Sequence, residues 1–171
     1  TELDNECTVV SVDGIGAYDL MRRKAMLTAL RKQPRAKALL PFVRLSYGAP
    51  SVYSWVDENG EEDLVHQGEG GEQGDPLMPA LYSLGQHAAL EAVHARLQED
   101  EQLLAFLDNV YVLCSRSRAR AVFDVLKEEI LRHTGVHLHL GKTKVWNKAG
   151  LELPRVRELQ QTPEETVWVA D

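Results

Sequence analysis

Export and oxidative cross-linking leave marks that this sequence does not carry. Its 171 residues include two cysteines, Cys7 and Cys114. Two are too few for a disulfide framework, and each sits in a strand-like apolar run where a reduced core thiol is the ordinary occupant. There is no run of about 18 apolar residues to span a bilayer, and the N-terminus lacks the charged-then-apolar pattern of a signal peptide. The expectation is an intracellular, reducing setting with no membrane partner. An excess of positive charge is missing too: 19 Lys and Arg face 26 Asp and Glu, for a formal net charge of -7. That balance weighs against a self-sufficient nucleic-acid binder, whose phosphate contacts come from clustered bases. The bases present are clustered all the same, in 22–37, 116–120, 142–148 and 155–157, with acids bunched in 57–63 and 99–101.

What is there suffices for one core. An apolar content of 44% over 171 residues supports about one domain, spanning 1–171. The chain opens at Thr1 without an initiator Met and closes just after the strand-like VWV of 167–169, so it reads as a segment of something longer.

Periodicity orders the chain. CTVVSVD, residues 7–13, is a valine-rich run ending on an acid, the pattern of a buried strand. Residues 22–32 read as a helix closed by Pro34, with Met21 and Met26 as core, and 36–45 as a second helix. Residues 51–56 and 61–66 flank Asn59-Gly60, a hairpin signal. HQGEGGEQGDP holds Gly68, Gly70, Gly71 and Gly74 within seven residues, which suits a mobile loop and no regular element. Asp75 is placed as an N-cap with Pro76 at the first helical position. The stripe Leu77, Leu81, Leu84, Ala88, Ala92 and Ala95 then extends a helix to about Leu97. Tyr82, Gln86 and His87 fall off that stripe, outside the expected core.

FLDNVYVL, residues 106–113, reads as a hairpin, with strands 103–107 and 110–114 on either side of an Asp108-Asn109 turn. Ser117 opens a helix that Gly135 ends, and 136–140 and 143–146 look extended. With the insertion at about 36–67 set aside, the order is strand, helix, hairpin, helix, strand. That is the ferredoxin-like βαββαβ plan, an α+β fold with an antiparallel sheet and helices on one face. In it, the end of the first strand and the tip of the hairpin are neighbours, which brings Asp13 beside Asp108. Two carboxylates at such a point repel one another unless a cation joins them, and oxygen ligands suit Mg²⁺. On their own, acids at strand ends are ordinarily solvated turn residues.

Four motifs turn this into a resemblance. DGIGAYD, 13–19, resembles the reverse-transcriptase pattern of an Asp followed four residues later by Ala, an aromatic and a second Asp. QGDP, 73–76, is similar to the Gln-Gly-x-Pro that opens the long palm helix. FLDN matches the hydrophobic-x-Asp-Asp hairpin except at its last position. LHLGKT, 138–143, is similar to Leu-Asn-x-x-Lys-Thr. Together they span Asp13 to Thr143 in the expected order, with the flavour of retroelement enzymes lacking long terminal repeats.

The resemblance implies a polymerase palm with an RNA-directed DNA polymerase activity, a nucleotidyltransferase. Asp13 and Asp108 would be ligands of two Mg²⁺ ions, Mn²⁺ serving as an alternative, and Asn109 would be at most a weak third. Gly14 to Ala17 would lie under the incoming deoxynucleoside triphosphate, and Tyr18 would exclude a ribose 2′-hydroxyl. Gln73 and Gly74 would touch the nascent base pair, and Lys142 would meet the leaving pyrophosphate as cation or proton donor. The partners would be an RNA or DNA template with its primer.

Two departures matter. Asn109 offers a carbonyl oxygen but no charge where the pattern has a second Asp, and His139 stands where the pattern has Asn. Fingers and thumb are not in the sequence, so the 171-residue chain alone is expected to be inactive. A decayed remnant that keeps only the fold is the first alternative. An RNA-templated RNA polymerase is the second, opposed by QGDP standing where such enzymes carry a Ser-Gly-rich motif. His133, His137 and His139 could be read as a zinc site but lack a further ligand at suitable spacing. Trp55 and Trp146 could stack on bases or simply pack.

Overall fold

The alternation of the first strand is carried straight into structure: in β1 (Cys7–Val12), Thr8, Val10 and Val12 are buried and the residues between them only half so. A side-chain period of two with one face on a core does this. The computed structural model describes residues 7–72, 74–160 and 167–169. Along it follow a short helix α1 (Ala17–Leu20), α2 (Arg23–Lys32), α3 (Leu40–Tyr47), and the hairpin β2 (Ser51–Val56) and β3 (Glu62–Gln67). Next come α4 (Met78–His94), β4 (Gln102–Phe106), β5 (Asn109–Ser115), α5 (Ala119–Thr134), β6 (Lys144–Asn147) and β7 (Trp168–Val169).

Five strands make one sheet in the order β4-β5-β1-β6-β7. The pairs β4·β5, β5·β1 and β1·β6 are antiparallel, and β7 adds parallel to β6. The order β6-β1-β5-β4 is the expected split βαββαβ arrangement, and the fold is α+β. The hairpin β2-β3 forms a separate two-stranded sheet within the insertion. On the sheet's covered face, Val10, Val112 and Val145 meet Met26 and Leu30 of α2, Val93 of α4, and Phe123 and Leu126 of α5 in one core. Met21 and Met26 lie in that core as expected. On the uncovered face, Leu104 pairs across the ladder with Tyr111 and both are exposed.

Several boundaries differ from expectation for local reasons. The first turn of α4 begins at Met78, because the Asp75 carboxylate accepts the Leu77 N–H at 2.8 Å and closes a turn ahead of the helix. Asp75 thus caps the turn and not the helix. The Ser117 hydroxyl lies 3.3 Å from that of Ser115 and caps nothing; a 3₁₀ turn over Arg116–Arg118 leads into α5. At the other end Gly135 is the C-cap, with φ 80, a left-handed conformation that glycine adopts without strain.

Sequence patterning gave no sign of Arg23, which holds the insertion to the core. Although charged, it is buried. Its Nε donates to the Gly70 carbonyl at 2.8 Å, one Nη to the Ala49 carbonyl at 2.5 Å and the other to the Ser51 hydroxyl at 3.0 Å. The guanidinium also lies 5.3 Å from the centre of the Tyr47 ring, within cation–π range. The Tyr47 hydroxyl in turn donates to Asp75; burial first, then that carboxylate, push its pKa up to about 12. One side chain thereby ties α2, α3, β2 and the glycine-rich segment together.

A second buried charge joins β4 to α5. Arg118 forks onto Glu101, Nε to Oε1 at 2.8 Å and Nη to Oε2 at 3.3 Å, and the Gln98 N–H donates to the same carboxylate at 2.9 Å. Burial alone would raise the Glu101 pKa, but the Arg118 and Gln98 hydrogen bonds prevail and hold it below the ordinary 4.5. A carboxyl whose folded pKa is depressed contributes stability above its unfolded value and loses it as pH falls through the folded one. Glu101→Gln is therefore expected to lower the urea midpoint at pH 7, and its deficit against the wild type to shrink as the pH drops below about 4. A deficit that stayed constant from pH 7 to pH 3 would show that the pair's charge is not what stabilises this join.

Candidate active site

Register places the two acids. Val12, the last residue of β1, pairs with Val110 in β5, so the next residue of one strand and the turn before the other meet at the same end of the sheet. Asp13 and Asp108 line one narrow crevice there, together with Tyr82 and Gln86 of α4.

The turn carrying Asp108 is not the expected one. Phe106 pairs with Asn109, so the two connecting residues are Leu107 and Asp108, and Asn109 is the first residue of β5. Leu107 has φ 55. For a residue with a bulky side chain this left-handed conformation costs about 1–2 kcal/mol, and the two-residue connection requires a positive φ of the kind found in hairpin turns. The apex is thus a strained position that fixes Asp108. Leu107→Gly, which removes the conformational cost but adds backbone freedom to the unfolded chain, is expected to leave stability unchanged or raise it by up to about 1 kcal/mol. A clear fall in urea midpoint would mean that Leu107 packing outweighs its strain.

A segment beyond β1 sets Lys142. The Ile15 N–H donates to the His137 carbonyl at 2.8 Å, the His139 N–H donates to the Asp13 carbonyl at 2.8 Å, and Gly14 bridges Leu138. Gly14 is required for this approach, since a Cβ there would lie 2.7 Å from Val136 Cγ1. A 3₁₀ turn over Leu140–Lys142 follows, closed by the buried Thr143, whose hydroxyl donates to the His139 carbonyl at 3.1 Å. Lys142 Nζ then sits 2.9 Å from Asp13 Oδ2, and its pKa is raised, first by that hydrogen bond and then by the charges of Asp13 and Asp108. His139 contributes backbone to the turn, so having a His and not an Asn there leaves the Lys142 loop intact.

Tyr18 lies on α1, which Gly16 opens with φ 51. Its ring meets that of Tyr82 edge to face, centroids 4.9 Å apart at 63°. Burial, then the Asp108 charge, raise the Tyr18 pKa. The hydroxyl of Tyr82 is raised further, by burial and then by Asp108, Tyr18 and Asp13. Tyr82 and Gln86 are fully buried, which corrects their expected place outside the core. They lie off the leucine-alanine stripe because a second face of α4 is covered, by the end of the sheet that carries Asp13 and Asp108. His87 is exposed, as expected. Ala17 is buried.

The glycine-rich segment is docked, not loose. The Gly70 N–H donates to the Met21 carbonyl at 2.7 Å and the Gly71 N–H to the Tyr18 carbonyl at 2.9 Å. A Cβ on Gly70 would fall 2.1 Å from the Asp19 carbonyl oxygen, so this contact requires glycine. The segment therefore supports α1 from behind. Gly74, with φ 96, has open space where a Cβ would be; Gln73 lies outside the described residues. Trp55 is exposed on β2, whereas Trp146 is half-buried.

The donors at the crevice are oxygen only. Among the described residues, no three His, Cys, Asp or Glu side chains converge as metal ligands. Two carboxylates with further positions left to phosphate and water are what Mg²⁺ accepts, so the residues present fit that ion.

No family model matches the chain, and no curated protein matches it in sequence. In fold it is similar to telomerases, which are reverse-transcriptase-related polymerases. Telomerase from Candida albicans in complex with a TWJ fragment of telomeric RNA aligns with a TM-score of 0.65 at 15% identity, over 86% of this chain and 28% of that one. Apo telomerase from Candida tropicalis aligns at 0.66 and 13% identity, over 86% and 30%, and its form truncated from the C-terminal domain at 0.61 and 15%, over 81% and 30%. The chain thus spans under a third of the length of these neighbours. What they share with it is a polymerase palm-like fold.

Proposed function

We propose that the chain is the palm of an RNA-directed DNA polymerase, of the retroelement kind lacking long terminal repeats, and that it acts within a longer protein carrying fingers and thumb. The observation that carries the reading is the meeting of Asp13 and Asp108 in one crevice, made by the β1·β5 register. Asp13 directly follows β1 and Asp108 lies in the two-residue turn before β5, so paired strands position both, as a site for phosphoryl chemistry requires.

Asp13 and Asp108 would hold two divalent ions, which supply neutralisation of the attacking and leaving oxygens when bound. Lys142, 2.9 Å from Asp13, would serve as a proton-bearing cation for a departing pyrophosphate. Tyr18, braced by Tyr82, would be the aromatic ring that meets the sugar of an incoming nucleotide and favours deoxyribose. Gly14, Gly16 and Ala17 give small side chains where the triphosphate would lie, and Gln73 and Gly74 would face the nascent base pair. Template, primer and deoxynucleoside triphosphates are the proposed partners.

A second reading rests on Asn109. Exposed at the start of β5, it supplies no charge, and a decayed copy would look the same in fold. Primer extension on an RNA template by the longest reading frame that encodes this chain separates the two. Mg²⁺-dependent incorporation of deoxynucleotides, strongly preferred over ribonucleotides, is the expected result. Incorporation that appeared only in Asn109→Asp would identify the natural chain as the remnant, and a preference for ribonucleotides would point to RNA synthesis.

A further inference from the structure

Along their seam α2 and α4 leave a groove of about 480 Å³, open to solvent. Its floor is small and apolar: Ala25 and Ala29 from α2, Leu84, Gly85 and Ala88 from α4. Gly85 is where the two helices close, since a Cβ there would sit 3.2 Å from Met26 Cγ of α2. Along the α2 side run Arg22, Lys24 and Lys32, all exposed. No carboxylate among the described residues pairs with any of the three. His133 closes one end and is near Glu129 at 3.6 Å; the acid on the α4 side, Glu91, is 3.5 Å from His87. Arg22 Nη1 donates to the Arg132 carbonyl at 3.2 Å and so serves the fold, but Lys24 and Lys32, in a chain of net charge -7, flank an apolar trough at exposed sites that neutral residues would serve as well.

We infer that this groove is a docking site for an amphipathic helix with an acidic flank, carried by a partner protein. The ten residues of α2 give a trough about 15 Å long, the length of roughly three helical turns, and small floor residues let a second helix approach closely. An apolar stripe would lie on Ala25, Ala29 and Ala88, and Glu or Asp on its flank would meet Lys24 and Lys32. This is recognition of a helix by a groove, with charge setting its orientation. A nucleic-acid backbone suits the site less well, because it has no apolar surface to cover the floor and would meet Glu91 at the rim.

The test uses the 171-residue chain and two fluorescent synthetic helices of equal length, each with a Leu and Ala stripe, one flanked by Glu and the other by Lys. The acidic helix is expected to bind saturably, and the basic one at least about tenfold more weakly, a difference of about 1.4 kcal/mol. Lys24→Glu with Lys32→Glu should weaken the acidic helix by about tenfold or more, and Ala29→Gln, which fills the floor at a half-buried position, should do so without changing any charge. Circular dichroism of each variant verifies that the fold is kept. Equal binding of both helices, or unchanged binding to the Ala29→Gln chain, would overturn the proposal. So would displacement of the bound helix by a short RNA duplex at lower concentration than by unlabelled acidic helix, which would assign the cations to phosphate. None of these readouts depends on polymerase activity.

Discussion

Asp13→Ala in the extension-competent protein is expected to lower the rate of primer extension by roughly 10³-fold or more, while the isolated chain loses almost no stability. The two halves of this expectation come from the same geometry. Asp13 and Asp108 share a crevice, so removing one carboxylate relieves like-charge repulsion. What is lost in return is the Lys142 pair, and the Lys142 side chain is 60% exposed. An ion pair in that setting contributes at most about 1 kcal/mol. A residue that matters to chemistry and little to folding is the mark of an active site, so urea denaturation and extension assays on the same variant carry equal weight. If Asp13→Ala kept full extension activity, two-ion nucleotidyl transfer at this crevice would be ruled out. If the variant unfolded, Asp13 would be a structural residue whose pairing with Lys142 the fold depends on.

Arg23→Ala is expected to do the reverse, destabilising the fold by about 3–5 kcal/mol with no direct part in chemistry. Its removal leaves the buried Gly70 carbonyl and the part-buried acceptors at Ala49 and Ser51 without their donor, and each unsatisfied group costs about 1–3 kcal/mol, less where water enters. Arg23→Lys should recover little of this, because a single ammonium cannot reach three acceptors in a planar fork. Loss of the node should show first in the insertion: amide exchange of 40–67 is expected to accelerate ahead of β1 and β5, whose ladders do not touch Arg23. Uniform acceleration throughout the chain would mean that the insertion and the sheet unfold as one unit. A loss below about 1 kcal/mol would show that solvent replaces the fork without penalty.

Much of this protein was legible before any coordinates. The alternation in CTVVSVD, the turn residues around Asn59-Gly60 and Gly135, and the order of elements lead to a βαββαβ sheet, because these signals are local and agree with one another. Motif spacing singled out Asp13, Tyr18, Asp108 and Lys142, and the sheet order brings the two acids together as the topology requires.

Residues whose role depends on distant partners were not legible. Arg23 looks like any lysine or arginine of a surface helix until the carbonyls of Ala49 and Gly70 are found to converge on it. Tyr82 and Gln86 lie off the apolar stripe of α4, and only the placement of that helix against the end of β1 and β5 buries a second face and sets Tyr82 against Tyr18. The hairpin turn shifted by one residue because cross-strand pairing of Phe106 with Asn109 outweighs the preference of Asp and Asn for turns, and the strain passed to Leu107. Local preference decided which elements form; long-range hydrogen bonding and packing, to which no short window of sequence has access, decided which side chains those elements hold in place at the site.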